Sequence, residues 1–194
     1  MFVTEISKEE LHVMPLARFG GKIHLIERSG AAEWAVNRLR NYPVVGFDTE
    51  TRPSFTKGKI NHVALLQLAT PSEVFLFRLC KMKMPGNLLM FLADPNILKV
   101  GVAVKNDLDI LKRAAKFKPQ GFIDLQKMVQ RFNIKTLGLS KMGGIVLGVR
   151  ISKAQQLSNW ENDTLTEAQQ RYAATDAWMC YLLYEKLSQY EVEN

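Results

Sequence analysis

Several acidic residues of this sequence lie in contexts that predict a chemical function. Asp48 and Glu50 follow the apolar run VVGF, which predicts a buried strand. Residues two apart on a strand point to the same face, so the two carboxylates are expected side by side at the edge of an apolar core. Like charges held there repel each other and lose hydration, and they therefore require a compensating group.

Asp107 is a third acidic candidate, because it follows the apolar run LKVGVAV at a predicted junction between a strand and a helix. Functional sites tend to form at this end of the strands in α/β sheets. A carboxylate that only complements the helix dipole would give the same pattern, so Asp107 alone is ambiguous. Asp109, two residues further along the helix, is expected to point elsewhere.

Tyr172 and Asp176 lie four residues apart in the segment RYAATDAW, which places them on one face of a predicted helix. The small residues between them keep the helix narrow enough to approach a sheet edge closely. Taken alone, the segment also fits an amphipathic helix that exposes both side chains to solvent.

Convergence of these carboxylates at one sheet edge would explain all of them together. Oxygen ligands with no neighbouring His or Cys cluster favour Mg²⁺ or Mn²⁺. Two such divalent cations would neutralise the carboxylates and hold the attacking and leaving oxygens of a phosphodiester during an in-line displacement.

Composition limits the class of protein. The chain has 194 residues, of which 47% are hydrophobic and 23% charged, as is usual for one globular domain. Its apolar runs are too short to cross a bilayer, and its first residues lack the apolar centre of a signal peptide. With two cysteines, neither a disulfide framework nor a thiolate metal site is expected, and a cytoplasmic location is predicted. The net charge of +7 favours an anionic partner such as nucleic acid. No membrane partner is expected, because no apolar run is long enough to cross a bilayer.

The order of predicted elements indicates an α/β fold. Residues 1–21 are interpreted as an N-terminal extension, and residues 22–194 as a single domain. The runs HVALLQLAT and EVFLFRL are joined by a tight turn, which favours an antiparallel pair, and strand–helix alternation follows. This pattern predicts a mixed β-sheet with helices on both faces.

Capping residues predict where several helices begin. Ser29 is expected to cap the helix after the first strand, and Asn106 the helix that carries Asp107. Thr166 and Gln169 form the sequence signature of a capping box at the start of the last long helix, which is predicted to run to about Gln189.

The segments FDTE, VKNDLDIL and YAATDA resemble the three motifs of DEDDy-type 3′–5′ exonucleases. This family includes ribonuclease D and the exonuclease domain of the Werner syndrome helicase, and the stretch LSNWENDTLTEAQQRYAATDAW is similar to the Werner-type branch. The resemblance runs from about Ile23 to Leu187. It implies a ribonuclease H-like mixed sheet, in agreement with the layout described above.

The resemblance also implies a role for each site residue. Asp48 would bridge two divalent cations, Glu50 and Asp176 would complete the tighter site, and Asp107 would act through a water molecule. Tyr172 matches the tyrosine that orients the attacking water.

Candidates for substrate binding are Thr49, Arg52, Lys105 and Lys153. Lys153 lies where relatives have a lysine near the substrate, whereas Lys105, Arg52 and the loop residues Lys57 and Lys59 flank the proposed edge and could hold phosphates. Trp160 could stack on a base, but a buried structural role is favoured. Many relatives carry an aromatic residue after the DTE triplet, where this chain has Thr51.

The resemblance and the residues together predict an exonuclease that uses Mg²⁺ or Mn²⁺ to release nucleoside monophosphates from DNA or RNA 3′ ends. Two alternatives stay open at this point, a catalytically silent nucleic-acid-binding module on the same fold and a scavenger of short oligonucleotides or small phosphodiesters. The sequence leaves the choice between DNA and RNA, and the oligomeric state, undecided.

Overall fold

The computed structural model of this chain describes residues 2–53 and 61–193. The helices in these residues are α1 (Lys8–His12), α2 (Ser29–Leu39), α3 (Gly86–Leu92), α4 (Val104–Ala114), α5 (Leu125–Gln130), α6 (Leu139–Leu147) and α7 (Glu167–Glu193). The strands are β1 (Lys22–Ile26), β2 (Val44–Thr51), β3 (Val63–Ala69), β4 (Glu73–Arg78), β5 (Leu98–Gly101) and β6 (Phe122–Asp124). None of the described helices is both long enough and apolar enough to cross a membrane.

The described strands form one mixed sheet in the order β1-β4-β3-β2-β5-β6. The β3 strand pairs antiparallel with both β4 and β2, whereas β1, β5 and β6 join the sheet in parallel. The predicted antiparallel pair and the predicted mixed sheet are therefore confirmed. Parallel pairing of β2, β5 and β6 brings the carboxyl ends of these strands to one edge, where the acidic residues lie.

Helices cover both faces of the sheet, as predicted. One apolar core joins α2, α3 and α4 to one face, with Phe47, Leu66 and Phe75 among its buried members. A second core joins α7 to the opposite face, where Ala173 and Ala177 pack against β3 and β4. Successive side chains of β2 therefore enter different cores, which decides the face that each acidic residue occupies.

Two predicted capping residues are wrong, and one capping box is confirmed. Helix α2 begins at Ser29 itself, with Arg28 in the capping position and no side-chain cap. Helix α4 begins at Val104, so the strand before it is shorter than predicted and Asn106 lies inside the first turn. At the last helix, the hydroxyl of Thr166 accepts the Gln169 N–H at 3.2 Å, and the Gln169 side chain accepts the Thr166 N–H at 3.0 Å.

Residues 2–21 pack against the rest of the fold, although the sequence pattern indicates only an extension. Phe19 is buried, and its N–H donates to the Thr175 hydroxyl of α7 at 3.1 Å. The Arg171 guanidinium donates to the Phe19 carbonyl at 2.8 Å. Leu16 forms a parallel β-bridge with Arg150. The segment is therefore fastened to the helix that carries Tyr172 and Asp176.

Candidate active site

Strand β2 presents Asp48 and Glu50 on the face covered by α7. Each of these residues and Asp176 offers a carboxylate oxygen, and the three oxygens all lie within 4.8 Å of one another. The sequence predicted that the first two share a face and that Asp176 converges on them, and the structure brings Asp176 there from a helix more than a hundred positions later. These three residues are hereafter called the acidic trio.

Close contact between β2 and α7 holds Asp176 in the acidic trio. A Cβ atom added at Gly46 would lie 1.9 Å from the carbonyl oxygen of Ala177, so only glycine fits there. Ala173, Ala174 and Ala177 are fully buried, which confirms that small residues let this helix approach the sheet closely. Asp176 itself is 7% exposed.

Asp107 reaches the same sheet edge from the opposite face. The chain leaves β5 and enters α4 through Ala103, whose φ of 54° is in the left-handed region that alanine rarely adopts. The N–H of Ala103 donates to the Asp124 carboxylate at 3.1 Å, which stabilises this turn. Asp107 then lies in the first turn of α4, where its Oδ1 accepts a hydrogen bond from the Thr49 hydroxyl at 2.5 Å.

Burial of several carboxylates together raises their pKa values. Loss of hydration is the main cause at Asp48, whose pKa lies well above its ordinary value, and the charges of Asp176 and Asp107 raise it further. Burial and the neighbouring carboxylates raise the pKa of Glu50 to about 10. Burial raises the pKa of Asp176 to about 7 and that of Asp107 to about 6, each offset in part by a hydrogen bond, from Tyr172 and Thr49 respectively.

No positive side chain in the described residues compensates these carboxylates. None of the ion pairs in residues 2–53 and 61–193 includes Asp48, Glu50, Asp107 or Asp176. The Oδ1 atom of Asp176 is buried and has no hydrogen-bond partner. Clustered hard oxygen ligands with an unpartnered buried oxygen among them fit a divalent cation such as Mg²⁺ or Mn²⁺.

Tyr172 lies one helical turn before Asp176 and contributes a hydrogen bond to its carboxylate. The phenol is half-buried, and its ring packs against Trp160 with a centroid separation of 6.0 Å. Burial, followed by the charges of Asp176 and Glu50, raises the pKa of Tyr172 above its ordinary value. The phenol is therefore protonated at neutral pH and can donate a hydrogen bond but cannot act as a base.

The predicted substrate-binding residues are distributed around the acidic trio rather than within it. Arg52 is exposed and pairs with Glu161 at 3.5 Å. Lys105 and Lys153 are exposed at the starts of α4 and of the loop that follows α6. The hydroxyl of Thr49 is engaged by Asp107. Lys57 and Lys59 fall outside the described residues, and Trp160 is fully buried, as favoured from the sequence.

A cleft of about 340 Å³ opens beside Tyr172 and Asp176. Part of its wall is formed by Leu16, Ala17 and Arg18, which the sequence analysis assigned to the extension. Sequence periodicity gives no signal for such a contribution, because the contact depends on hydrogen bonds between remote segments. Gln67, the polar residue within the apolar run VALLQLA, is a second feature that the sequence motifs do not single out.

Comparison with known proteins agrees with this geometry. The sequence model of a 3′–5′ exonuclease domain family matches residues 23–190, and so covers nearly the whole chain. The chain belongs to the 3′–5′ exonuclease family. The resemblance drawn from the three acidic motifs is thereby confirmed.

Individual relatives show how much of each protein this family domain represents. The chain is 36% identical over 157 residues to the mouse bifunctional 3′–5′ exonuclease/ATP-dependent helicase WRN, a match over 77% of the chain and 11% of that protein. It is 36% identical over 187 residues to human exonuclease 3′–5′ domain-containing protein 2, over 87% of the chain and 30% of that protein. The chain thus spans less than a third of the length of these two relatives.

Solved structures show the same fold. The crystal structure of Escherichia coli RNase D, described as an exoribonuclease involved in structured RNA processing, superposes with a TM-score of 0.77 at 26% identity. The match covers 87% of this chain and 44% of that one. The predicted ribonuclease H-like α/β fold is therefore confirmed.

Proposed function

We propose that this chain hydrolyses the phosphodiester bond at the 3′ end of DNA or RNA and releases nucleoside monophosphates with the help of two divalent cations, Mg²⁺ or Mn²⁺. The observation that carries the proposal is the group of four buried or half-buried carboxylates at one sheet edge, which have no compensating positive side chain in the described residues. Membership of the exonuclease family supports it independently.

In this proposal the four carboxylates form two cation sites that share Asp48. The acidic trio would hold one ion, and Asp48 and Asp107 would hold the other. Bound there, the ions would neutralise the carboxylates and stabilise the charge that develops on the attacking and leaving oxygens. Thr49 restrains Asp107 through its hydroxyl, so its role in the proposal is to orient a ligand rather than to touch the substrate.

Tyr172 holds the attacking water in line with the terminal phosphorus. The water oxygen forms the new bond to phosphorus while the bond to the 3′-oxygen of the penultimate nucleotide breaks. The 3′-oxygen of the shortened strand takes up a proton from solvent and becomes a 3′-hydroxyl, and the departing nucleotide keeps its phosphate as a 5′-phosphate. Because the phenol keeps its own proton, the proton of the water leaves to solvent, and the contribution of Tyr172 is positioning.

Digestion of end-labelled oligonucleotides tests this function. DNA and RNA strands of graded length, with the label at the 5′ end, are incubated with Mg²⁺, with Mn²⁺ or with EDTA. A ladder that shortens by single nucleotides and requires the metal is the expected result. Binding without any cleavage would establish the silent module instead, and cleavage confined to the shortest strands would establish a scavenger.

A matched pair of variants connects the activity to the site. Asp48→Asn removes the carboxylate expected to serve both ions and should abolish cleavage. Asp109→Asn removes an exposed carboxylate two residues after Asp107 on the same helix and should leave the rate unchanged. Cleavage by Asp48→Asn at the wild-type rate would contradict the proposed function.

A further inference from the structure

Gln67 is a fully buried polar residue at the centre of β3. Its exposure is 0%, and its six neighbours in the strand are all apolar. Within the part of the chain that the structure describes, neither Nε2 nor Oε1 of its amide has a hydrogen-bond partner. Buried polar side chains normally have partners, so an unpartnered amide at this depth requires an explanation.

Strand register places Gln67 directly opposite Asp48. The two residues are paired across the antiparallel β2–β3 ladder, and paired residues point to the same face. Their Cβ atoms are therefore about 4.5–5.5 Å apart, a distance that the Gln67 side chain can span. The residue on the other side of Gln67 is Leu76 of β4, and small residues of α7 cover the face above it.

Asp48 has room for a second donor. Its Oδ1 accepts the N–H of Thr49 at 2.9 Å, and no described side chain donates to the carboxylate. An ionised carboxylate accepts hydrogen bonds at about four lone-pair sites, so cation binding leaves capacity for another bond. The Gln67 amide is the polar group that the strand register places nearest to it.

We propose that Gln67 is a positioning residue for Asp48. When Asp48 binds a divalent cation, the amide N–H of Gln67 donates to its carboxylate and fixes the direction in which the ligand oxygens point. Groups that orient metal ligands in this way increase metal affinity. The inference rests on the proposed function only to the extent that Asp48 is a metal ligand.

Gln67→Met is the test variant, because it keeps the length and flexibility of the side chain and removes the amide. Leu65→Met is the matched control, since Leu65 is equally buried on the same face of β3 and lies opposite Glu50. Mn²⁺ affinity is measured by calorimetry, and the melting temperature in EDTA is measured separately. Both readouts are independent of nuclease activity.

The expected result is a loss of Mn²⁺ affinity without a loss of folding. Gln67→Met should bind Mn²⁺ about 10- to 100-fold more weakly. Its melting temperature in EDTA should equal or exceed that of wild type, because an unpartnered amide is replaced by an apolar group. Leu65→Met should keep the wild-type affinity. If Gln67→Met does not fold, Gln67→Asn decides, since its shorter amide cannot reach Asp48 equally well and should also weaken Mn²⁺ binding.

Unchanged Mn²⁺ affinity in the folded Gln67 variant would overturn the inference. A lower melting temperature in EDTA with unchanged affinity would show that the amide has only a structural role, and would overturn it equally. Absence of Mn²⁺ binding by the wild-type protein would instead contradict the proposed function, so the two failures are distinguishable.

Discussion

Gly46 of β2 touches the backbone of Ala177 in α7 so closely that a Cβ atom at Gly46 would lie 1.9 Å from the Ala177 carbonyl oxygen. Both partners in this contact are backbone, so neither can yield by rotating a side chain. The contact sets the distance between the strand that carries Asp48 and Glu50 and the helix that carries Asp176. The acidic trio therefore depends on a glycine that has no chemistry of its own.

Gly46→Ala should destabilise the fold and weaken cation binding together. Overpacking of a close contact typically costs about 1–3 kcal/mol, and this contact leaves no room for the added methyl group. Urea unfolding measures the loss of stability. Calorimetry with Mn²⁺ measures the loss of cation affinity that is expected when Asp176 is displaced. Gly30→Ala is the control, because nothing lies within 4 Å of the added Cβ and the position is helical. Wild-type stability in Gly46→Ala would show that the strand and the helix are not held at this distance.

Stability of the metal-free protein should fall as pH rises. Folding raises the pKa of Asp107 from 3.8 to about 6, that of Asp176 from 3.8 to about 7 and that of Glu50 from 4.5 to about 10. The folded state therefore binds more protons than the unfolded state between these values. This contribution to stability is fully present below about pH 4 and is lost as pH rises through the three folded-state values.

Melting temperatures in EDTA across this pH range measure the effect, with Glu50→Gln as the control that isolates one group. The melting temperature of Glu50→Gln should rise relative to that of wild type as pH rises, because the glutamine side chain cannot ionise. Saturating Mn²⁺ should remove most of the difference between low and high pH in wild type, since the cation compensates the ionised carboxylates. A gap between the two proteins that stays constant with pH would contradict the pKa assignment.

Thr49→Val should shift the acidic limb of the pH–rate profile to higher pH. The hydroxyl of Thr49 donates to Asp107 at 2.5 Å and lowers the pKa of that carboxyl. Valine keeps the branched shape but lacks the donor. The pKa of Asp107 therefore rises, and the carboxyl group ionises at a higher pH. The measurement is kcat/KM against pH at a fixed, subsaturating Mn²⁺ concentration, where the proton and the cation compete for the Asp107 carboxylate.

Thr51→Val is the matched control, because Thr51 is the next threonine of β2 and its hydroxyl has no hydrogen bond within the described residues. A profile of Thr49→Val that keeps its acidic limb but has a higher KM would favour the role in substrate binding that the sequence analysis assigned to Thr49.

Local rules predicted the parts of this molecule that depend on short sequence separations. Alternation along a strand placed Asp48 and Glu50 on one face, and helical spacing placed Tyr172 one turn before Asp176. The capping box at Thr166 was likewise readable from four adjacent residues. In each case the interacting groups belong to one element, so periodicity alone determines their relationship.

The remainder depends on contacts between remote segments. The sequence predicts Asn106 as the capping residue of the helix that carries Asp107. In the structure the Asp124 carboxylate, from a later strand, stabilises a left-handed turn at Ala103, and α4 begins at Val104 instead. Tertiary structure also determines the hydrogen bonds that hold residues 2–21 against α7. Sheet register determines the pairing of Gln67 with Asp48. Neither has a local sequence signature.

Tyr172→Phe tests the distinction between positioning and proton transfer. The ring of phenylalanine keeps the packing against Trp160, and only the hydroxyl that donates near Asp176 is lost. If the phenol positions the attacking water, kcat should fall by about ten- to a thousandfold while KM for the oligonucleotide and Mn²⁺ affinity change little. Tyr181→Phe is the control, because Tyr181 lies on the same helix, is also partly buried, and bonds to Glu185 instead. Its rate should match wild type.

Because burial raises the pKa of Tyr172, its ionisation should leave no basic limb in the wild-type profile near pH 10. Equal losses of Mn²⁺ affinity and kcat in Tyr172→Phe would mean that the hydroxyl acts by holding Asp176 in place. An unchanged kcat would remove Tyr172 from the reaction altogether.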